Sequence, residues 1–252
     1  MSEREFFVGY LAVPPRQRRF LIAVVTALLC LALLVAYAVG SAQLADGEGQ
    51  WDPYSTANVQ GYLSLDPYPV LHRADGSSVL LVRAGKLSAK EYVRSFDGRH
   101  VAIRGTPIER GGWYMLELYA AEDVQERPPT QGYDLPVRRA GEQIELAGEI
   151  IDSKCFLGVM KPGSGKVHRA CAAMCLTGGM PPMLVVTDAR GDRYGYMLVM
   201  SDGASASLHL VPDVAVPVTV RGRLEKRGDL TYLYIAEDGV RRLGPAVPNM
   251  KV

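Results

Sequence analysis

Cys155, His168, Cys171 and Cys175 read C-x12-H-x2-C-x3-C, three thiols and one imidazole within a single stretch of chain. Thiolate sulfur and imidazole nitrogen are the donors that zinc, copper and other thiophilic ions prefer, and cysteine thiolates also hold iron–sulfur clusters. Met160, Met174, Met180 and Met183 stand around them. Their thioethers would favour copper if they faced the site; otherwise methionine fills irregular core space. Two other chemistries stay open for the same residues. Cys155 could pair with Cys171 or Cys175 in a disulfide that staples the segment, or His168 could acidify a cysteine in a thiol redox pair. Three is an odd number for a purely structural bridge, and Cys-x3-Cys is a weaker redox signal than Cys-x-x-Cys.

The elements that must position these groups can be read from the same stretch. Lys166 to Leu176 has no internal Gly or Pro and carries Ala170, Ala172 and Ala173, which predicts a short helix ended by Gly178-Gly179. His168, Cys171 and Cys175 then fall at i, i+3 and i+7 on one helix face. Cys155 arrives from the end of a strand, separated from the helix by a turn containing Pro162-Gly163-Ser164-Gly165. That turn is not a phosphate loop, because Met160 and Val167 occupy the positions of its first Gly and its Ser or Thr. Asp152 and Lys154 flank the first cysteine and are expected to be solvated loop residues. His72, His100 and His209 are isolated and receive no role. Covalent haem attachment is not expected, since no Cys-x-x-Cys-His run occurs.

Outward from this segment the chain repeats a small β unit. Val59 to Leu65, Val70 to Arg73 and Ser78 to Ala84 alternate as three strands, and Ser88-Ala89-Lys90-Glu91 opens a short helix to about Phe96. Val101 to Gly105 and Trp113 to Ala120 follow as a hairpin around Glu109-Arg110-Gly111-Gly112. Three strands, a helix and two strands is the order of an OB-type barrel. Val101 to Val124 lines up with Val218 to Val240, setting Arg104-Gly105 opposite Arg221-Gly222 and Arg110-Gly111 opposite Arg227-Gly228. Two OB-like barrels are therefore expected, at 58–126 and 142–252, joined by a linker at 127–141. The copies differ at one place. The first has a few residues around Asp66-Pro67 between its first two strands, where the second has an insertion over 152–183 carrying the three cysteines.

Composition places the whole. The 252 residues carry 28 Lys+Arg against 27 Asp+Glu, which gives no basic field for general nucleic-acid binding. A mean hydropathy of +0.03 is high for a chain with 22% charged residues, and one segment accounts for it. From Phe20 to Val39 only Thr26 is clearly polar, long enough to span about 30 Å of hydrocarbon. A cleavable signal peptide would have an apolar run of only about 7–15 residues, so an uncleaved anchor over 20–42 is expected. Arg4, Arg16, Arg18 and Arg19 precede the span and no Lys or Arg follows until Arg73. The positive-inside rule then puts a leader at 1–19 in the cytoplasm and everything beyond a linker at 43–57 outside, in the bacterial periplasm. Cys30 is a small apolar residue within the span, and the leader's Phe6, Phe7, Tyr10 and Leu11 read as a foot on the membrane surface.

The run D-x-x-C-F-x-G-x-M, H-x-x-C-A-x-x-C and G-G-x-P-P, from Asp152 to Pro182, resembles a segment of exported, often membrane-anchored bacterial proteins of uncharacterised activity. The resemblance covers this insertion and its flanking strands. It implies that His168 and the three cysteines act together and does not name a metal. The expected function is an accessory or electron-transfer subunit of a membrane redox system. Its ligands would be Cys155, His168, Cys171 and Cys175, its cofactor a zinc or copper ion or an iron–sulfur cluster. Expected partners are the bilayer and other membrane or periplasmic subunits, with no nucleic acid. The alternatives are a non-enzymatic binding or assembly module with a disulfide-stapled insertion, and a thiol oxidoreductase. No serine triad, carboxylate pair or nucleotide loop stands out for an independent hydrolase or kinase.

Overall fold

The computed structural model describes residues 13–44, 49–129 and 135–244. The leader's aromatic residues and part of the join between the two β units lie outside these. The chain divides into two compact units, Met1–Asp46 and Gly47–Val252.

The first unit contains α1 (Pro15–Leu44). Pro15 opens it, where a missing N–H costs no helical bond. Its segment Gln17–Ser41 is 25 residues long and apolar enough to cross a membrane. Its large side chains stand exposed along the span, Leu33 at 71% and Tyr37 at 78%, and Cys30 is exposed with them. A helix with apolar residues on every side needs an apolar surrounding.

The second unit is mainly β. It starts with β1 (Gln50–Trp51), β2 (Ala57–Ser64), β3 (Val70–His72) and β4 (Ser78–Arg83). Next come α2 (Lys90–Val93) and a 3-10 turn to Phe96, then β5 (His100–Arg110), β6 (Trp113–Leu118) and β7 (Val124–Glu126). β5 pairs with β2 and β6, while β4 runs parallel to β6, so the strands close in the order β5-β2-β3-β4-β6. The remaining elements are β8 (Arg138–Asp152), α3 (Arg169–Thr177), β9 (Pro182–Thr187), β10 (Arg193–Met200), β11 (Pro217–Arg227) and β12 (Leu230–Arg242). They form a second closed barrel, β10-β12-β11-β8-β9, again with one parallel closure, β10 with β12. Both barrels have the strand order of an OB fold.

The register matches residue by residue. Gly61 stands opposite Val101 as Gly148 stands opposite Val218, and Val82 opposite Glu117 as Val199 opposite Tyr234. Two isolated bridges correspond as well, Val82 with Ser88 and Val199 with Ser205. The paired glycines are steric: a Cβ at Gly61 would overlap the His72 carbonyl, and one at Gly148 the Val185 carbonyl.

Two expected boundaries move. The linker expected at 43–57 contains β1, whose Trp51 pairs with Ile108 of β5. β8 begins at Arg138, inside the linker expected at 127–141, because its first residues pair with the far end of β11.

Three hydrophobic clusters account for the packing. One fills the first barrel around Leu63, Leu81 and Leu116, and one fills the second around Ile150, Leu198 and Leu233. The third lies between the barrels and joins Val70, Leu80, Val82 and Met115 to Met183, Val185, Met197 and Tyr232. Strands two and three of an OB barrel carry the face that binds oligonucleotides or saccharides in other OB folds. Here those faces, on β3 and β4 and on β9 and β10, are buried against each other.

Candidate metal centre

The cysteines lie on the connection from β8 to β9. After Asp152 the chain makes a π-helical turn over Cys155–Val159, which includes Gly158, and returns through a 3-10 turn over Lys166–His168 into α3. The expected helix is thus split, with His168 on the 3-10 turn just ahead of α3 and Cys171 and Cys175 on α3 itself. Gly178 ends α3 and Gly179 follows with φ of 81°, the left-handed conformation that glycine adopts without strain.

Cys155 is the hub of the cluster. Its Sγ lies 3.8 Å from Cys171 Sγ and 3.9 Å from Cys175 Sγ, and all three thiols are free. The donor atoms of Cys155, His168 and Cys171 lie within 4.8 Å of one another, and so do those of Asp152, Cys155 and Cys175. Cys155, Cys175 and His168 are buried, and Cys171 is half-buried. All four residues singled out from the sequence therefore converge, as two overlapping triples rather than one compact set of four. Of the surrounding methionines, Met180 and Met183 are core residues between the barrels, while Met160 and Met174 are exposed.

Asp152 and Lys154 correct the expectation of solvated loop residues, since both are buried. One Asp152 oxygen accepts the Cys155 backbone N–H at 2.9 Å, and the other lies 2.9 Å from His168 Nε2. That contact leaves Nδ1 as the imidazole nitrogen free for a ligand, the arrangement by which a carboxylate orients a metal-binding histidine. Lys154 points the other way, into the first barrel. Its ammonium donates to the carbonyls of Arg83 (2.9 Å) and Gly85 (2.8 Å) and pairs with Glu117 at 2.5 Å. Trp51 Nε1 donates to the other Glu117 oxygen at 3.2 Å. A buried ion pair persists only when its remaining hydrogen-bonding capacity is met in this way.

Lys86 was not legible as a site residue. It belongs to the first barrel's loop after β4, yet its Nζ lies 2.7 Å from Cys171 Sγ and 3.7 Å from Cys175 Sγ. The insertion grips this loop on both sides of Lys86. Lys154 holds Arg83 and Gly85, and the Gly178 carbonyl accepts the Ser88 N–H at 2.9 Å. A Cβ at position 178 would overlap the Lys86 carbonyl, so the glycine that ends α3 also admits the loop. No local sequence pattern carries this partnership; the Gly178-Gly179 pair is its nearest trace.

The electrostatics of the thiols follow from these contacts. Cys155 is held far above the ordinary thiol range by donating to Cys175, by burial and by the nearby Asp152 charge. Cys175, accepting from Cys155, is held below it. Burial alone would lower the Lys86 ammonium, but its bond to Cys171 and the surrounding thiols keep it above its usual value. The arrangement is a nest of soft donors capped by one cation.

No protein-family model and no curated protein matches the chain. Among solved structures, a deletion mutant of the single-stranded DNA binding protein from Thermus aquaticus aligns at 10% sequence identity over 82% of this chain and 93% of that one. Its TM-score is 0.22, too low to carry an argument, and the OB-like assignment rests on the strand order and parallel closures described above.

Proposed function

We propose that this chain is a single-pass membrane protein that holds one thiophilic metal ion or cluster outside the cytoplasm, as an accessory or electron-transfer subunit of a membrane redox system. The observation that carries the reading is the spacing of the sulfurs. Tetrahedral metal–thiolate bonds of about 2.3 Å put neighbouring sulfurs about 3.8 Å apart. Cys155 stands at 3.8 and 3.9 Å from its two partners. Drawn together from the two triples, three thiolates and the His168 imidazole would fill four coordination positions, which leaves none for a substrate and suits a structural or electron-transferring ion better than a catalytic one. The Lys86 ammonium offsets part of the negative charge of such a centre.

The membrane assignment is supported by the apolar helix Gln17–Ser41 and by the arginines that precede its apolar run from Phe20. The burial of both OB ligand faces against each other supports a protein partner over nucleic acid. The test is elemental analysis with thiol counting on the full chain purified in detergent. One metal equivalent or one cluster per chain is expected, with the buried thiols of Cys155 and Cys175 unreactive until the protein is denatured with chelator. His168→Ala should lose metal while keeping its β-type circular dichroism. A metal-free protein with one disulfide would overturn the reading, and a colourless zinc-only protein would remove electron transfer while keeping the site.

A further inference from the structure

We infer that this cluster is also a two-electron thiol switch, in which Cys171 meets an incoming low-molecular-weight disulfide, Cys155 resolves the adduct, and the resulting bond expels the metal. Release of a metal rests on the function proposed above; the exchange chemistry rests only on the thiols. Three observations converge on the order of events. Among the three site thiols, Cys155 is 3% and Cys175 1% exposed, so Cys171, half-buried on α3, is the sulfur a reagent reaches. Cys171 alone has an ammonium within short hydrogen-bonding distance, Lys86 Nζ at 2.7 Å, a positive charge that draws an anionic reagent to that sulfur. Cys155 is the buried sulfur already in contact with Cys171, at 3.8 Å.

The chemistry closes as follows. The Cys171 thiolate attacks one sulfur of the disulfide; a Cys171–reagent bond forms, the reagent's own S–S bond breaks, and one reagent thiolate leaves. Cys155 then gives up its proton, or its metal bond, and attacks the Cys171 sulfur, forming Cys155–Cys171 and releasing the second reagent thiolate. The two cysteines lose two electrons, and the reagent gains them with two protons as two thiols. A metal that has lost two of its sulfur donors keeps only Cys175 and His168, and dissociates. Lys86 comes from the first barrel, so the exchange rate reports whether its loop is seated on the insertion.

The experiment uses the full chain in detergent with Cys30→Ser, which removes the one cysteine on α1, and oxidised glutathione as the probe. Peptide mapping and metal analysis are read on the same samples. Expected are a Cys155–Cys171 disulfide with metal loss in the parent, and an accumulating glutathione adduct on Cys171 in Cys155→Ser. Lys86→Gln should slow adduct formation about tenfold while Lys86→Arg preserves it. Adducts first on Cys155 or Cys175, a Cys155–Cys175 product, or equal rates in Lys86→Gln would overturn the inference. So would metal retained after the disulfide has formed. A protein that carries no metal before oxidant is added defeats the proposed function instead, and the adduct positions still decide the exchange.

Discussion

The two barrels differ most where their frames agree best, in the connection from the first to the second strand. Residues 65–69 make that connection in one barrel and 153–181 in the other. Each reaches across to the opposite barrel and holds its third strand and the loop that follows. Tyr68 donates to the Leu198 carbonyl at 2.6 Å and accepts the Ala206 N–H at 3.0 Å; Lys154 donates to the carbonyls of Arg83 and Gly85. The hairpin arginines mirror each other as well, Arg110 bonding to the Phe156 carbonyl and Arg227 to the Asp66 carbonyl, both at 2.7 Å. The short loop accomplishes its grip with a neutral phenol. The long one uses a buried ammonium and carries a helix, three thiols and a histidine besides. A two-fold frame thus fixes where the barrels touch, and the length of one loop decides which side bears chemistry.

The largest expected effect tests whether the two grips are equivalent. Glu117→Leu leaves the Lys154 ammonium buried without its carboxylate and should cost about 3–5 kcal/mol. Tyr68→Phe removes one neutral hydroxyl that both donates and accepts, and should cost about 1–3 kcal/mol. Denaturant midpoints of the two variants check this. Combining Glu117→Leu with Lys154→Met should recover most of the loss, because no unpaired charge remains. Equal costs for the single variants would mean that the charged grip is no more demanding than the neutral one.

The next effect concerns pH and is confined to the first barrel. His72 faces Ser78 across β3 and β4, and the matching pair in the second barrel is Val185 and Gly195. Burial lowers the His72 pKa from 6.5 to about 4, with Asp229 opposing and Arg227 assisting. The unfolded chain therefore binds the proton first, so the protein loses stability as pH falls from 6.5 towards 4, approaching about 3 kcal/mol at the acid end. His72→Val, which installs the second barrel's residue, should flatten that part of the stability–pH curve. An unchanged slope between pH 6.5 and 4 would assign the acid sensitivity to other groups.

Which of these features could be read in advance follows from the range of the interaction that encodes them. Strand positions, the Arg-Gly turns and the helix ended by Gly178-Gly179 depend on neighbours a few residues away, and alternation and turn residues record them. The Cys/His set is legible because three of its members share eight residues of chain, His168 to Cys175. The contact of Lys86 with the thiols and the pairing of Glu117 with Lys154 depend on the barrels being docked, and nothing near them in the chain marks it. Asp152 and Lys154 have the composition of a solvated loop; only the opposite barrel makes them core residues. β1 escaped because two residues are too short to show alternation.

The smallest expected difference separates the mirrored arginines. Arg227 is 4% exposed, bonds Glu225 at 2.6 Å and lies over the Tyr232 ring at 4.5 Å, so Arg227→Ala strands a nearly buried carboxylate. Arg110 is half-buried, stacks on Phe156 at 4.1 Å and serves a backbone carbonyl. Arg227→Ala should cost about 2–3 kcal/mol and Arg110→Ala about 1 kcal/mol. The smaller loss should carry the larger local consequence, because Phe156 adjoins Cys155. Faster reaction of Cys155 with a thiol reagent in Arg110→Ala than in Arg227→Ala would show that the first barrel's hairpin shields the thiol cluster. Equal reactivity would confine that shielding to the loop that carries Lys86.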